Sequence, residues 1–364
     1  MKRRHLLGAL AASLFACSAT LSFGQSVPAG YPADYAKLVA AAKAEGKVVV
    51  YTSTDSKQAA PLVDAFKAAY PGMTVELNDL GTNGSYNRAL SEAAAKQVGS
   101  DIVWTSAMDL QMVLVQKGLA EAYASPEIKH LPPWGQYKNT LFGTSIEPAA
   151  ILYNKKLLPA EWVPKTRADL IKVLKERRDA LKGKVATFDP EKSGTGFFFS
   201  TADVRHTKDF WDLVAAFGAA EGKVYGSSGA MREKVLSGEH VLAFNVIGSY
   251  ALEWAHENPN LGVAFQSDYT STFSRVAQIS KGAPHPNAAK LFLDFMLSER
   301  GQKALSEKGV PSIRADVGTI NVATLNQTVG GGLKPTAVDE HLTEYMEPKK
   351  RAEFFQQWKK ALGR

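Results

Sequence analysis

The stretch Lys47-Val48-Val49-Val50-Tyr51-Thr52-Ser53-Thr54-Asp55-Ser56 decides the fold. Its first six residues form a short apolar run rich in β-branched side chains, as a strand buried in a parallel sheet should be. Upstream, Ala33 to Glu45 reads as an amphipathic helix ended by Gly46. Downstream, Lys57 to Tyr70 is helical, with Leu62, Phe66 and Tyr70 on one face and Pro71-Gly72 as the stop. Met73 to Leu77 is a second strand, Gly81 to Ser85 a loop, Tyr86 to Lys96 a helix, and Asp101 to Trp104 a third strand, with a helix from about Ala107. That alternation predicts a parallel sheet covered by helices on both faces.

The pattern then resets. Ala149 to Tyr153, Lys184 to Phe188, Val241 to Asn245 and Arg275 to Ser280 read as strands, with helices starting at Ser193 and Thr207. Helices Asn287 to Leu297, Glu299 to Lys308 and Arg351 to Leu362 finish the chain. No repeat, low-complexity tract or Pro/Gly linker interrupts it, so two lobes joined by sheet strands and coupled by a hinge are expected.

Composition agrees. The chain has 364 residues, 45% hydrophobic and 22% charged, which excludes wholesale disorder. At roughly 100–200 residues per domain, the length suggests two domains. The net charge of +7 is misleading in its placement: residues 1–24 carry +3, residues 348–364 carry +5, and the remainder −1. A near-neutral body lacks the continuous basic stripe that nucleic acid or a membrane surface requires, so neither is expected as a partner.

The N-terminus reads as an address. Met1–Arg4 is basic, Leu6 to Leu21 is apolar and small, and Ser22 and Gly24 precede Gln25 as a cleavage site would require. A signal over residues 1–24 and a periplasmic location are expected. Arg3-Arg4 leaves the twin-arginine route open, and Cys17 after Leu14-Phe15-Ala16 leaves lipid anchoring open. If Cys17 leaves with the signal, the mature chain has no disulfide, thiolate nucleophile or Cys-ligated metal.

In open α/β sheets, ligands bind beyond the carboxyl ends of the strands. The segments there are Ser53-Thr54-Asp55-Ser56, the Gly81–Ser85 loop with Asn83, Thr105-Ser106, Ser193-Gly194-Thr195-Gly196, Gly226-Ser227-Ser228-Gly229 and Gly248-Ser249-Tyr250. Nearly all are hydroxyls, small residues and helix starts. Helix N-termini offer unpaired N–H groups to anions, hydroxyls add donors, and glycine lets the backbone approach. Ser193 taken alone is better explained as an ordinary helix cap; the loops together favour a shared anion site.

Enzyme signatures are mostly missing: no nucleophile elbow, P-loop, zinc HExxH or full GxGxxG. The seven histidines are scattered, His206 standing out just past the helix that starts at Ser193, and Phe197-Phe198-Phe199 reads as core. Asp55 and Glu147 are single acids with no partner fixed by spacing.

With these features, the chain resembles the periplasmic solute-binding proteins of ABC importers, most closely their ferric-ion-binding branch. The resemblance rests on Val49-Val50-Tyr51-Thr52-Ser53, Ser100-Asp101-Ile102-Val103-Trp104, Ala150-Ile151-Leu152-Tyr153-Asn154, Ser193-Gly194-Thr195-Gly196, Leu236-Ser237-Gly238-Glu239 and the stretch Ala288 to Gln302, in that order. It implies an α/β, two-lobed periplasmic-binding-protein fold of type II (the Venus-flytrap form), each lobe a mixed sheet flanked by helices. The expected division is 25–147 plus 270–364 for the first lobe and 148–269 for the second.

The departures from that branch matter. Gly248 and Ser249 stand where ferric binders carry paired tyrosines, Asp55 where a His is common, and Ser106 where a Glu is common. The paired phenolates are lost while the serine-and-glycine anion loop survives. Relatives of this pattern bind organophosphates, phosphonates or carboxylates. Glu147 lies near the crossover and, facing the cleft, would suit an ammonium or sugar hydroxyls. The resemblance therefore implies a non-enzymatic monomer without cofactor or metal. It would capture a small anionic solute and deliver it to an inner-membrane permease; a sensor partner stays open. The expected ligand-binding residues are Ser53, Thr54, Asp55, Asn83, Ser106, Glu147, Ser193, Gly194, Thr195, Gly196, Ser228, Ser249 and Tyr250. The alternative is a ferric-ion or ferric-chelate binder using Tyr250, Tyr269, Asp55 and an exogenous anion.

Overall fold

The computed structural model describes Val27 and residues 30–364. The signal-peptide reading of residues 1–24 and the lipid-anchor reading of Cys17 lie outside the described residues. No helix among the described residues is long and apolar enough to cross a membrane.

Two mixed sheets form, one per lobe. In the first, Lys47–Thr52 lies between Thr74–Asp79 and Ile102–Thr105, all parallel. Val276–Ser280 then joins Ile102–Thr105 antiparallel and carries Leu141–Gly143 on its other side. Val48, Val50, Ile102 and Trp104 are buried here against Phe66 and the helix Pro286–Leu297. In the second sheet, Glu147–Asn154 pairs antiparallel with Leu242–Ile247, Leu261–Ala264 and Thr270–Phe273. Val185–Phe188 runs parallel to Leu242–Ile247 and to Lys223–Tyr225.

The chain crosses between sheets at residues 143–147 and returns at 273–276. These two crossovers are bonded side by side: Thr144 donates its N–H to the Arg275 carbonyl at 2.8 Å, and Arg275 donates its N–H to Ser145 Oγ at 3.0 Å. Antiparallel pairing of two short connectors makes a narrow strap about which the lobes can turn.

The tail parts differently from the expected division. Thr270–Phe273 and Leu333–Lys334 pair with each other in the second sheet. The last helix, Pro348–Ala361, packs on the second lobe as well, with Phe354 5.4 Å from Phe197 and Trp358 6.3 Å from Phe210. Phe354, Trp358 and Leu362 need an apolar surface, and the second lobe's Phe197, Phe210 and Phe217 provide it. The segment Gly81–Ser85, read as a loop, is the first turn of the helix Gly81–Ala94. Its cap residue, Leu80, supplies no side-chain bond, so the sequence carried no capping signature there.

Candidate functional site

The lobes meet where the strand ends of both sheets converge. From the first lobe comes the turn after Lys47–Thr52. Asp55 caps the helix Ser56–Ala69, its Oδ1 accepting the Gln58 N–H at 3.0 Å. Pro71-Gly72 follow that helix, as the sequence required. Ser53 faces Ser106, which follows the strand Ile102–Thr105: Ser106 donates its N–H to Ser53 Oγ at 3.2 Å, and the two hydroxyls lie 3.4 Å apart.

From the second lobe comes the helix Gly194–His206. Ser193 is its N-cap, accepting the Gly196 N–H at 3.2 Å, so the bland reading of that serine is correct as far as its Oγ goes. Thr195, one position inside the helix, points across the cleft. Its Oγ1 lies 2.9 Å from Ser106 Oγ. Ser53, Ser106 and Thr195 thus form a line of three hydroxyls spanning the two lobes, beside a helix N-terminus. Each glycine of this loop has a distinct reason. A Cβ on Gly194 would meet Asn83, Leu110 and Thr82 of the first lobe at 3.0 Å, whereas one on Gly196 would strike Phe188 Cβ of its own lobe at 2.6 Å. Asn83 is exposed, and its side-chain amide donates to the Lys192 carbonyl across the cleft at 3.1 Å.

Glu147 departs from expectation. It is wholly buried and does not present a charge to the cleft. Arg275 Nε donates to Glu147 Oε1 at 2.7 Å and Nη2 to Oε2 at 3.0 Å, a fork-to-fork ion pair between the crossovers. Burial works against the Arg275 charge, but the adjacent Glu147 carboxylate together with Tyr250 and Asp55 outweighs it, and the guanidinium pKa is raised. Ser249, also fully buried, donates to Glu147 Oε2 and belongs to this network rather than to an open surface. Ser228 likewise serves its own lobe, accepting the Ile247 N–H at 3.3 Å.

Thr54 and Tyr250 border the same network. Thr54 Oγ1 accepts from Arg275 Nη1 at 3.1 Å. Tyr250 accepts the Asp55 N–H at 3.3 Å, tying the lobes. One face of its ring stacks on Trp254 at 5.5 Å and 14°, and the Arg275 guanidinium lies 5.3 Å from its centroid. Burial raises the Tyr250 phenol pKa, which keeps it a neutral hydroxyl. The other tyrosine of the ferric alternative is elsewhere. Tyr269 stands 6.4 Å from His206 and 5.5 Å from the Arg167 guanidinium, inside the second lobe. Among the described residues no group of three or more His, Cys, Asp or Glu lies together as a metal site would need.

Several cations around the cleft have acids of their own, whereas Arg351, beside Asn83, Ser193 and Gly194, lies over the rings of Phe197 and Phe355 and is in no ion pair among the described residues. Besides Arg275, Lys57 reaches across to Glu257 at 2.6 Å and Glu253 at 3.7 Å, and Lys192 lies 3.8 Å from Asp189. What remains to attract a solute is hydroxyls, backbone N–H groups and helix ends, with the Arg351 guanidinium beside Ser193 and Gly194. Sequence reasoning missed Arg275 and Gln58, which hold the named residues together. A lone arginine opening a buried strand was the available signal, because such a charge requires a buried acid.

Against known proteins, residues 61–327 match the family model described as bacterial extracellular solute-binding protein. The substrate-binding protein of an ABC transporter from Agrobacterium tumefaciens is 33% identical, with a TM-score of 0.82 over 87% of this chain and 94% of that one. Iron-bound HitA from Pseudomonas aeruginosa, at 17% identity, has a TM-score of 0.69 over 86% of this chain and 99% of that one. The periplasmic binding protein AfuA from Actinobacillus pleuropneumoniae, solved with fructose-6-phosphate, is 19% identical, with a TM-score of 0.66 over 87% of this chain and 99% of that one. The last two likenesses concern the fold alone. With the family model covering most of its length and a two-lobed α/β architecture around one cleft, the chain belongs to the bacterial extracellular solute-binding proteins.

Proposed function

We propose that this protein is the substrate-binding component of an ABC import system and captures a small anionic solute, an organophosphate, phosphonate or carboxylate, between its lobes. The observation carrying this reading is the hydroxyl line Ser53–Ser106–Thr195 at the start of the helix Gly194–His206. A solute lodged there touches both lobes, so its binding energy favours the closed form. Hydroxyl donors beside a helix dipole suit an anion that must later be released.

The same fold holds fructose-6-phosphate in AfuA and iron in HitA, so the scaffold accommodates either cargo. The different surroundings of Tyr250, beside Arg275 and Asp55, and Tyr269, beside His206 and Arg167, and the buried pairing of Glu147 favour the organic anion here. Asp55, Asn83 and the Tyr250 hydroxyl border the cleft and contact the remainder of the molecule in this reading. Calorimetric titration with sugar phosphates, phosphonates, dicarboxylates and ferric citrate tests it. Heat from a class of organic anion is expected. Silence across the anions, with a purple tyrosinate band on adding ferric ion, would overturn it in favour of iron.

A further inference from the structure

Arg275 was not among the ligand-binding residues expected from the sequence, yet its guanidinium reaches both sides of the cleft. Its ion pair with Glu147 lies within the crossovers, which are bonded to one another and stay together whichever way the lobes turn. The charge is therefore neutralised in every state. The remaining donors behave differently. Nη1 donates to Thr54 Oγ1 at 3.1 Å and Nη2 to Gln58 Oε1 at 2.5 Å, both on the first lobe. Nη2 also lies 3.4 Å from Ser249 Oγ, and the guanidinium 5.3 Å from the Tyr250 ring, both on the second lobe. Gln58 closes the circuit, its Nε2 standing 3.5 Å from Ser249 Oγ.

This circuit is complete only at the present separation of the lobes. Swinging them apart parts Gln58 from Ser249 and frees at least one set of guanidinium N–H groups, which must then find water. Hydrogen bonds to a charged group are stronger than neutral ones, and a rigid fork loses little entropy in making them. The geometry points to Arg275 as the positioning residue for closure: a buried template onto which both lobes dock, holding a closed population without solute and pre-aligning Thr54, Ser249 and Tyr250. It acts through those residues. The inference is independent of which solute is carried.

The test needs no solute. Spin labels go on Lys67→Cys and Lys172→Cys, exposed positions on the helices Ser56–Ala69 and Arg167–Glu176, in a Cys17→Ser background. The protein is stripped of small molecules by denaturation and refolding, and interlabel distances are measured by pulsed electron spin resonance. A population at the distance of the present structure is expected. In Arg275→Lys, which keeps the charge against Glu147 and loses the fork, the closed-to-open ratio should fall about tenfold. Gln58→Leu, outside the ion pair, should shift it in the same direction and carries the test if Arg275→Lys does not fold. A merely structural role would lower the melting temperature and leave the distances unchanged. Unchanged distances in the folded variants, or a wild type wholly at the longer distance, would overturn the proposal.

Discussion

At the scale of single residues, the chemistry turns on Glu147 and Thr195. Among the described residues Glu147 is the only acid bonded to the buried Arg275 guanidinium, so Glu147→Gln leaves a cation without its counter-charge. Breaking one partner of a buried pair typically costs about 3–5 kcal/mol. A melting temperature lowered by many degrees is expected, and one within a degree of wild type would mean that the pair is not buried as described. Thr195→Glu acts differently. It puts a negative side chain beside Ser106 at the helix start, where the proposed anion must lie. Affinity for that anion should fall more than about tenfold, the equivalent of 1.4 kcal/mol, with the fold intact; unchanged affinity would place the solute elsewhere. Residue types mark which side chains are unusual but not what they touch. Glu147 was visible as a lone acid, but its partner lies 128 positions away and only the pairing of two crossovers brings them together.

At the scale of elements, two glycines of one helix start should separate folding from closure. Gly196→Ala collides with Phe188 inside the second lobe, an overpacking worth about 1–3 kcal/mol of stability. Gly194→Val instead pushes on Asn83, Leu110 and Thr82 of the first lobe. It should hold the lobes apart, weakening solute binding while the melting temperature changes little; calorimetry and titration on the pair distinguish the effects. The helix Met108–Gln116 carries a pH dependence. Its Asp109 is buried, Oδ1 accepting the Leu110 N–H at 2.8 Å, and burial pushes its pKa from 3.8 up to about 6. The folded state therefore binds this proton more tightly than the unfolded chain, and stability falls as pH rises through that interval. Asp109→Asn keeps the acceptor and removes the titration, so its advantage over wild type should grow between pH 3.8 and about 6 and then level off. Equal pH profiles of melting temperature would contradict this. Elements were legible wherever local pattern and burial agree: Lys47–Thr52 is apolar because it lies inside a sheet. The start of Gly81–Ala94 and the docking of Pro348–Ala361 were not, because a helix without a capping side chain and a tail choosing between two apolar surfaces leave no local mark.

At the scale of the whole molecule, two sheets, a pair of bonded crossovers and a cleft of hydroxyl donors act together. The net charge of +7 does not reside in the body of the chain, and Arg275, Lys57 and Lys192 near the cleft are paired. Attraction for an anion is thus local, from hydroxyls and helix ends, and closure is a geometric matter governed at the strap. The most direct test is mass spectrometry of the small molecules carried through purification, on wild type and on Thr195→Glu side by side. An organic phosphate, phosphonate or carboxylate in stoichiometric amount with the wild type, and missing from the variant, is the predicted result. Ferric ion without an organic anion, or the same molecule retained equally by both proteins, would contradict it.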